Sequence, residues 1–151
     1  MSIKSVAFFL FLISLGVPDI ITPAENIMNL KNQTPSKNYF IVKDEKVALS
    51  QPGPHDGGGE TTGFNFFKDI PNLAFEFKKR ILHPGSAIGY HMQKEDEIYY
   101  ILSGRAELTM NGETSVVDGG TAILTRNGAS HGLRQMGDED LIIIIVYPRH
   151  E

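Results

Sequence analysis

The chain has 151 residues, 41% hydrophobic and 21% charged, enough for one domain with a real core and ordinary for a soluble globular protein. A formal net charge of −4 argues against a broad basic surface for nucleic acid. With no cysteine, a disulfide framework, a thiolate zinc site, a cysteine nucleophile and a lipidated cysteine are all excluded.

In chain order, Lys4 and the apolar run Val6 to Val17 have the form of a signal peptide, with Thr22-Pro23-Ala24 as an acceptable cleavage site. The run is too short for a comfortable transmembrane helix, so no membrane span is expected after cleavage. The expected organisation is a signal peptide over 1–24, a polar arm over 25–37 and a folded domain over 38–151, with a secreted or periplasmic destination.

From Asn38 onward the sequence reads as short strands between turns. Tyr39 to Val42 and Val47 to Leu49 are brief apolar pieces, and Gln51 to Glu60, with two prolines and four glycines, is a loop. Thr61 to Phe67 and Leu73 to Leu82 carry strand-type residues, and Phe75 and Phe77 alternate with polar neighbours at the strand period. His83-Pro84-Gly85 ends that strand. Glu97 to Leu102 and Arg105 to Met110 follow, and Asn111-Gly112 is the strongest hairpin signal in the chain. Val116-Val117, Thr121 to Leu124 and Ser130 to Arg134 continue the pattern. Leu141 to Tyr147 is a continuous apolar run that suits a strand covered on both faces. No amphipathic helix is evident after residue 24, so the class is an all-β sandwich or barrel in a single domain.

One constellation carries chemistry: His91, Gln93 and Glu97, then His131. His91 and Gln93 are two apart and share a face if they lie on a strand. Glu97 opens the next strand. If that strand pairs with the one bearing His91, the three side chains converge, and His131 arrives from elsewhere. Two imidazoles and a carboxylate suit a divalent ion such as zinc, manganese, iron or nickel. The Gln93 amide is a weaker, neutral donor that would leave the ion more electron-poor. Three or four protein ligands leave positions open for water or a substrate.

These residues resemble the two signature motifs of the cupin superfamily. The first is Gly, five residues, His-x-His, three or four residues, Glu, six residues, Gly. Gly85, His91, Gln93, Glu97 and Gly104 fall on its spacings, with Gln93 in place of the second His. The second is Gly, five residues, Pro-x-Gly, two residues, His, three residues, Asn. Gly120, Arg126, Gly128, His131 and Gln135 fall on it, with Arg for Pro and Gln for Asn. The resemblance implies an antiparallel jelly-roll barrel from about Asn38 to Pro148, holding one divalent metal ion.

Other side chains are candidates for substrate contact. Tyr99 shares Glu97's face, so it is a candidate proton donor or substrate contact, and either residue is a candidate base. Tyr100 is expected to point the other way. Arg126 and Arg134 could meet an anionic ligand. His55, in the glycine-rich loop, could lie over the barrel mouth. The function expected is action on a small oxygenated molecule, a sugar or a hydroxy- or keto-acid, chelated on the metal. Isomerase or lyase chemistry needs only a Lewis acid and is favoured over a metal-dependent dioxygenase; a non-catalytic small-molecule-binding cupin is the other alternative. The apolar run Ile142 to Val146 suggests a homodimer.

Overall fold

The computed structural model describes residues 38–149. The expected signal peptide over 1–24 and the arm over 25–37 lie outside them. The described residues form ten strands and a single 3-10 turn at Asp44–Lys46, with no α-helix. None of these elements is a helix long and apolar enough to cross a membrane.

The strands are β1 (Ala48–Pro52), β2 (Glu60–Phe66), β3 (Phe75–Leu82), β4 (Ala87–Met92), β5 (Glu97–Ser103), β6 (Arg105–Met110), β7 (Glu113–Asp118), β8 (Ala122–Thr125), β9 (Ser130–Met136) and β10 (Leu141–Pro148). They form a six-stranded sheet in the order β1-β2-β3-β10-β5-β8 and a four-stranded sheet in the order β4-β9-β6-β7. Every pairing is antiparallel. Asn111 and Gly112, both at positive φ, turn β6 into β7, as the hairpin signal predicts. The four motif glycines, Gly85, Gly104, Gly120 and Gly128, also hold positive φ at strand junctions, a conformation that costs glycine little.

The core lies between the sheets. Leu82, Tyr99, Ile101, Ile143 and Ile145 face in from the larger sheet, and Ile88, Ala106, Leu108 and Leu133 from the smaller. β10 departs from its expected environment. Leu141, Ile143 and Ile145 are buried, but Ile142, Ile144 and Val146 on the other face are only half-buried. The strand is central, between β3 and β5, so neighbouring side chains shield its outer face without closing it. The first apolar piece, Tyr39 to Val42, is not a strand, whereas Gln51 and Pro52 extend β1 into the expected loop.

β4 carries the irregularity on which the site depends. Ile88 pairs with Leu133 and His91 with His131, so β4 spends one residue more than β9 over this stretch, a β-bulge. Residues three apart on a regular strand face opposite ways. The bulge turns His91 to the same interior side as Ile88. Against it lies the loop 53–59, held by backbone bonds: Gly89 N–H donates to Pro54 O at 2.9 Å and Ala87 N–H to Gly58 O at 3.2 Å. The approach is close enough that a Cβ on Gly89 would stand 1.8 Å from His55 O, and one on Gly57 2.1 Å from Ala87 O. Gly89→Val must therefore push the loop from the strand. Denaturant unfolding is expected to show a loss of about 2–3 kcal/mol, and wild-type stability in this variant would rule out the packing described.

Candidate metal centre

His91 and His131 are a directly opposed cross-strand pair on β4 and β9, with ring centroids 4.8 Å apart. Glu97 enters from β5, which pairs with β8 and β10 and not with the strand of His91. The three side chains therefore converge across the two sheets and not through a β4–β5 pairing. The segment Lys94-Glu95-Asp96 carries the chain from one sheet to the other, and the cup closes because the sheets face each other.

Ligand atoms of His91, Glu97 and His131 all lie within 4.8 Å of one another. His131 is fully buried and Glu97 nearly so. The outer nitrogen of each ring is engaged. His91 Nδ1 lies 2.8 Å from Gly89 O, a pure acceptor, so Nδ1 carries the hydrogen and the Nε2 lone pair faces the cup. His131 Nδ1 is 2.8 Å from Thr125 Oγ1, a hydroxyl able to accept the same kind of bond. Thr125 stands opposite Glu97 in the β5–β8 ladder, so this contact also ties the two sheets together.

Gln93 follows β4 and keeps its backbone paired with the 128–129 turn, through Gln93 N–H to Ala129 O and Gly128 N–H to Gln93 O, both 2.9 Å. Its amide stands amid the donor set. Nε2 donates to Glu97 Oε2 and lies 3.3 Å from His91 Nε2 and 3.1 Å from His131 Nε2. When His131 carries its hydrogen on Nδ1, three acceptors converge on an amide with only two hydrogens. His131 Nε2 is also 3.2 Å from Glu97 Oε2. A divalent cation would relieve this crowding of lone pairs and negative charge, so the residues fit such an ion.

The remaining candidates divide. The His55 ring stacks on His91 at 3.5 Å between centroids and 9° between planes. Burial, followed by the adjacent His91, lowers its pKa from the ordinary value. Tyr99 is buried beside His131, ring centroids 5.0 Å apart, and burial followed by Glu97 raises its pKa well above the usual phenol range. Tyr100 points outward and is exposed. Arg126 is committed at the surface, where its Nε lies 2.8 Å from Asp96 Oδ2. Asn127 N–H and Arg126 together lower the Asp96 pKa. Arg134 pairs with Glu107 at 2.6 Å. Neither arginine lines the cavity of about 310 Å³ whose walls include His55, His91, Gln93, Glu97 and Tyr147. Thr125, Lys78 and Arg80 were not singled out in the sequence. A signal existed for the last two: they share a strand face with Leu82, which places charge on an inward-facing row. Gln135, at the second motif's last position, is structural: it accepts from Gly85 N–H at 3.0 Å and donates to Gly137 O and Glu139 O.

Known proteins resemble this chain in sequence and in fold. The cupin domain family matches residues 79–147, from β3 to β10 and across both motifs. The chain is 37% identical over 76 residues to an oxalate-binding protein of Thermotoga maritima, covering 50% of this chain and 63% of that protein. It is 30% identical over 66 residues to a protein of Streptomyces coelicolor, covering 44% of this chain and 62% of that one. The matches thus span less than two thirds of these relatives' lengths. Among solved structures, one described as a predicted oxalate decarboxylase of Thermotoga maritima superposes with a TM-score of 0.66 and 28% identity over 74% of this chain and all of that one. A polyketide cyclase of Streptomyces resistomycificus, 23% identical over 73% of this chain and 79% of its own, shares the fold with a TM-score of 0.63. The motif spacings, the two antiparallel sheets and the converging histidines agree with these matches, and residues 79–147 are a cupin domain.

Proposed function

We propose that this chain binds one divalent metal ion through His91, Glu97 and His131, with the Gln93 amide beside it, and holds a small chelating acid against that ion. The observation that carries the reading is the convergence of two imidazole nitrogens and a buried carboxylate within 4.8 Å. The engagement of both outer ring nitrogens adds to it. When bound, the ion supplies Lewis-acid polarisation of a ligand oxygen. The chain's own residues do the rest. The His55 ring closes one side of the cup by stacking on His91. Tyr99 and Tyr147 border the space beside Glu97 and can orient a ligand oxygen by hydrogen bonding. Loop 53–59 and the strand walls limit water around them.

Among reactions, isomerase or lyase chemistry on an oxygen-rich acid is favoured. The related Thermotoga maritima proteins, described as oxalate-binding and as a predicted oxalate decarboxylase, support a small carboxylic acid as the ligand. Export through residues 1–24 belongs to the same proposal and is tested by the N-terminal sequence of protein recovered from the native host. Purified wild-type chain is expected to carry about one metal ion, and His91→Ala/His131→Ala to carry almost none by elemental analysis. Equal metal in both proteins would sink the assignment. Thr125→Val removes the partner of His131 Nδ1 and is expected to weaken metal affinity about tenfold in a chelator competition, with the fold retained.

The same proposal includes a homodimer through the outer face of the larger sheet. Exposed Ile98, Tyr100, Leu102 and Leu124 adjoin half-buried Ile144 and Val146 across β8, β5 and β10. A continuous apolar face of this kind favours association, and two-fold pairing of a patch with itself is the commonest solution. Sedimentation velocity should show a dimer for the wild type and a folded monomer for Tyr100→Glu/Leu124→Glu. A monomeric wild type would remove this element and leave the metal site untouched.

A further inference from the structure

The inner face of β3 departs from the rule that a core-facing strand row is apolar. Lys78 and Arg80 stand there in line with buried Leu82. Both line a cavity of about 200 Å³ whose walls also include His55, Glu97, Tyr99 and Tyr147. His55, Glu97 and Tyr147 line the metal cup as well, so the two spaces adjoin.

Arg80 is 9% exposed and has no carboxylate within ion-pair distance among the described residues. Its partners are neutral. Nη1 donates to Thr61 Oγ1 at 2.9 Å, and Gln51, with its amide oxygen turned inward, accepts from Nη2 at 2.7 Å. Its buried Nε–H has no acceptor. By contrast, Arg126, Arg134 and Arg149 each meet an acidic side chain. Desolvation lowers the Arg80 pKa, yet a guanidinium keeps its charge in proteins. Lys78 also has no acidic partner: it donates to the Tyr147 hydroxyl and lies 4.7 Å from the centre of that ring. Two cations with only neutral partners therefore border one small cavity. Burying unpaired charge is costly, and an anion in the cavity would offset that cost. The carboxylate on this wall is Glu97, which belongs to the candidate metal group with His91 and His131.

We propose that Lys78 and Arg80 form a carboxylate subsite beside the metal cup, so that the ligand is a small acid with one carboxylate held there and its other oxygens facing His91, Glu97 and His131. The proposal rests on the metal-centred reading for the second half of the ligand, but not for the first. Within the small chelating acids it fixes where the carboxylate sits, and it favours short dicarboxylates and keto- or hydroxy-acids. Sugars without an acid group are excluded.

The test uses malonate and its neutral counterpart malonamide on the full chain, stripped of metal with a chelator and then reloaded. Calorimetry and thermal shift are the readouts. Metal-free wild type is expected to bind malonate and not malonamide, and reloading is expected to tighten malonate binding. Lys78→Met and Arg80→Gln should each weaken malonate at least tenfold in both states, with metal content unchanged. If Arg80→Gln does not fold, Lys78→Met decides the question alone. Malonamide binding as tightly as malonate, unchanged malonate affinity in Lys78→Met, or no malonate binding by metal-free wild type would overturn the subsite. Loss of the metal assignment shows itself separately, as equal metal in the wild type and the double-histidine variant.

Discussion

Between Ile88 and His91, β4 carries one residue more than the β9 segment it pairs with, and the interior of the barrel is organised around that excess. Without it, an inward Ile88 would put His91 outside, because side chains alternate at every residue of a regular strand. With it, the strand keeps an apolar side chain in the core and delivers an imidazole to the cup two ladder positions away from Leu133. The bulge is held from outside by loop 53–59, whose backbone meets β4 where only glycine leaves room. The loop in turn sets His55 against His91. A backbone contact thus determines the position of two of the rings in the site.

The cup is a property of the packed sheets and not of either one. The smaller sheet supplies the histidine pair, and the larger sheet supplies Glu97, Thr125 and Tyr99. Thr125 spans the gap to His131, so the same hydrogen bond orients a ring and joins the layers. Any loss of core packing between the sheets would widen the distance between carboxylate and imidazoles. Catalytic and metal sites need side chains held to fractions of an ångström, and strands on two sides of a close-packed core provide that.

Charge inside the barrel is divided. Glu97 and the ring nitrogens form a pole that favours a cation, whereas Lys78 and Arg80 on β3 form one that favours an anion. Outside, the larger sheet is apolar over β8, β5 and β10. The same alternation along β5 produces both faces, with Glu97, Tyr99 and Ile101 inward and Ile98, Tyr100 and Leu102 outward.

Much of this was legible in the sequence. Alternating residues and turn glycines marked most strands, and β6 falls on its expected bounds at Arg105–Met110. The resemblance of Gly85 to Gln135 to the two cupin motifs implied the barrel and pointed to its four polar side chains, because motif spacing is local information. Pairing partners were not legible. Glu97 sits beside β8 and β10 and not beside β4, since strand order depends on which sheet each segment joins. Arg126 stands where the second motif has Pro and was a candidate for an anionic ligand, but a surface Asp96 takes its charge. The signal at Arg80, a charge in line with Leu82, is weak in sequence, because a lysine and an arginine on a strand are ordinarily solvated. The sequence by itself determined the all-β class and the turns, which follow from local periodicity and backbone preference, and it named the candidate ligands through their side-chain chemistry and the motif resemblance. Only the tertiary structure decided that the bulge between Ile88 and His91 turns His91 inward, that the cup spans two sheets, and that a buried arginine and a half-buried lysine lie beside it. Those depend on contacts between residues far apart in the chain.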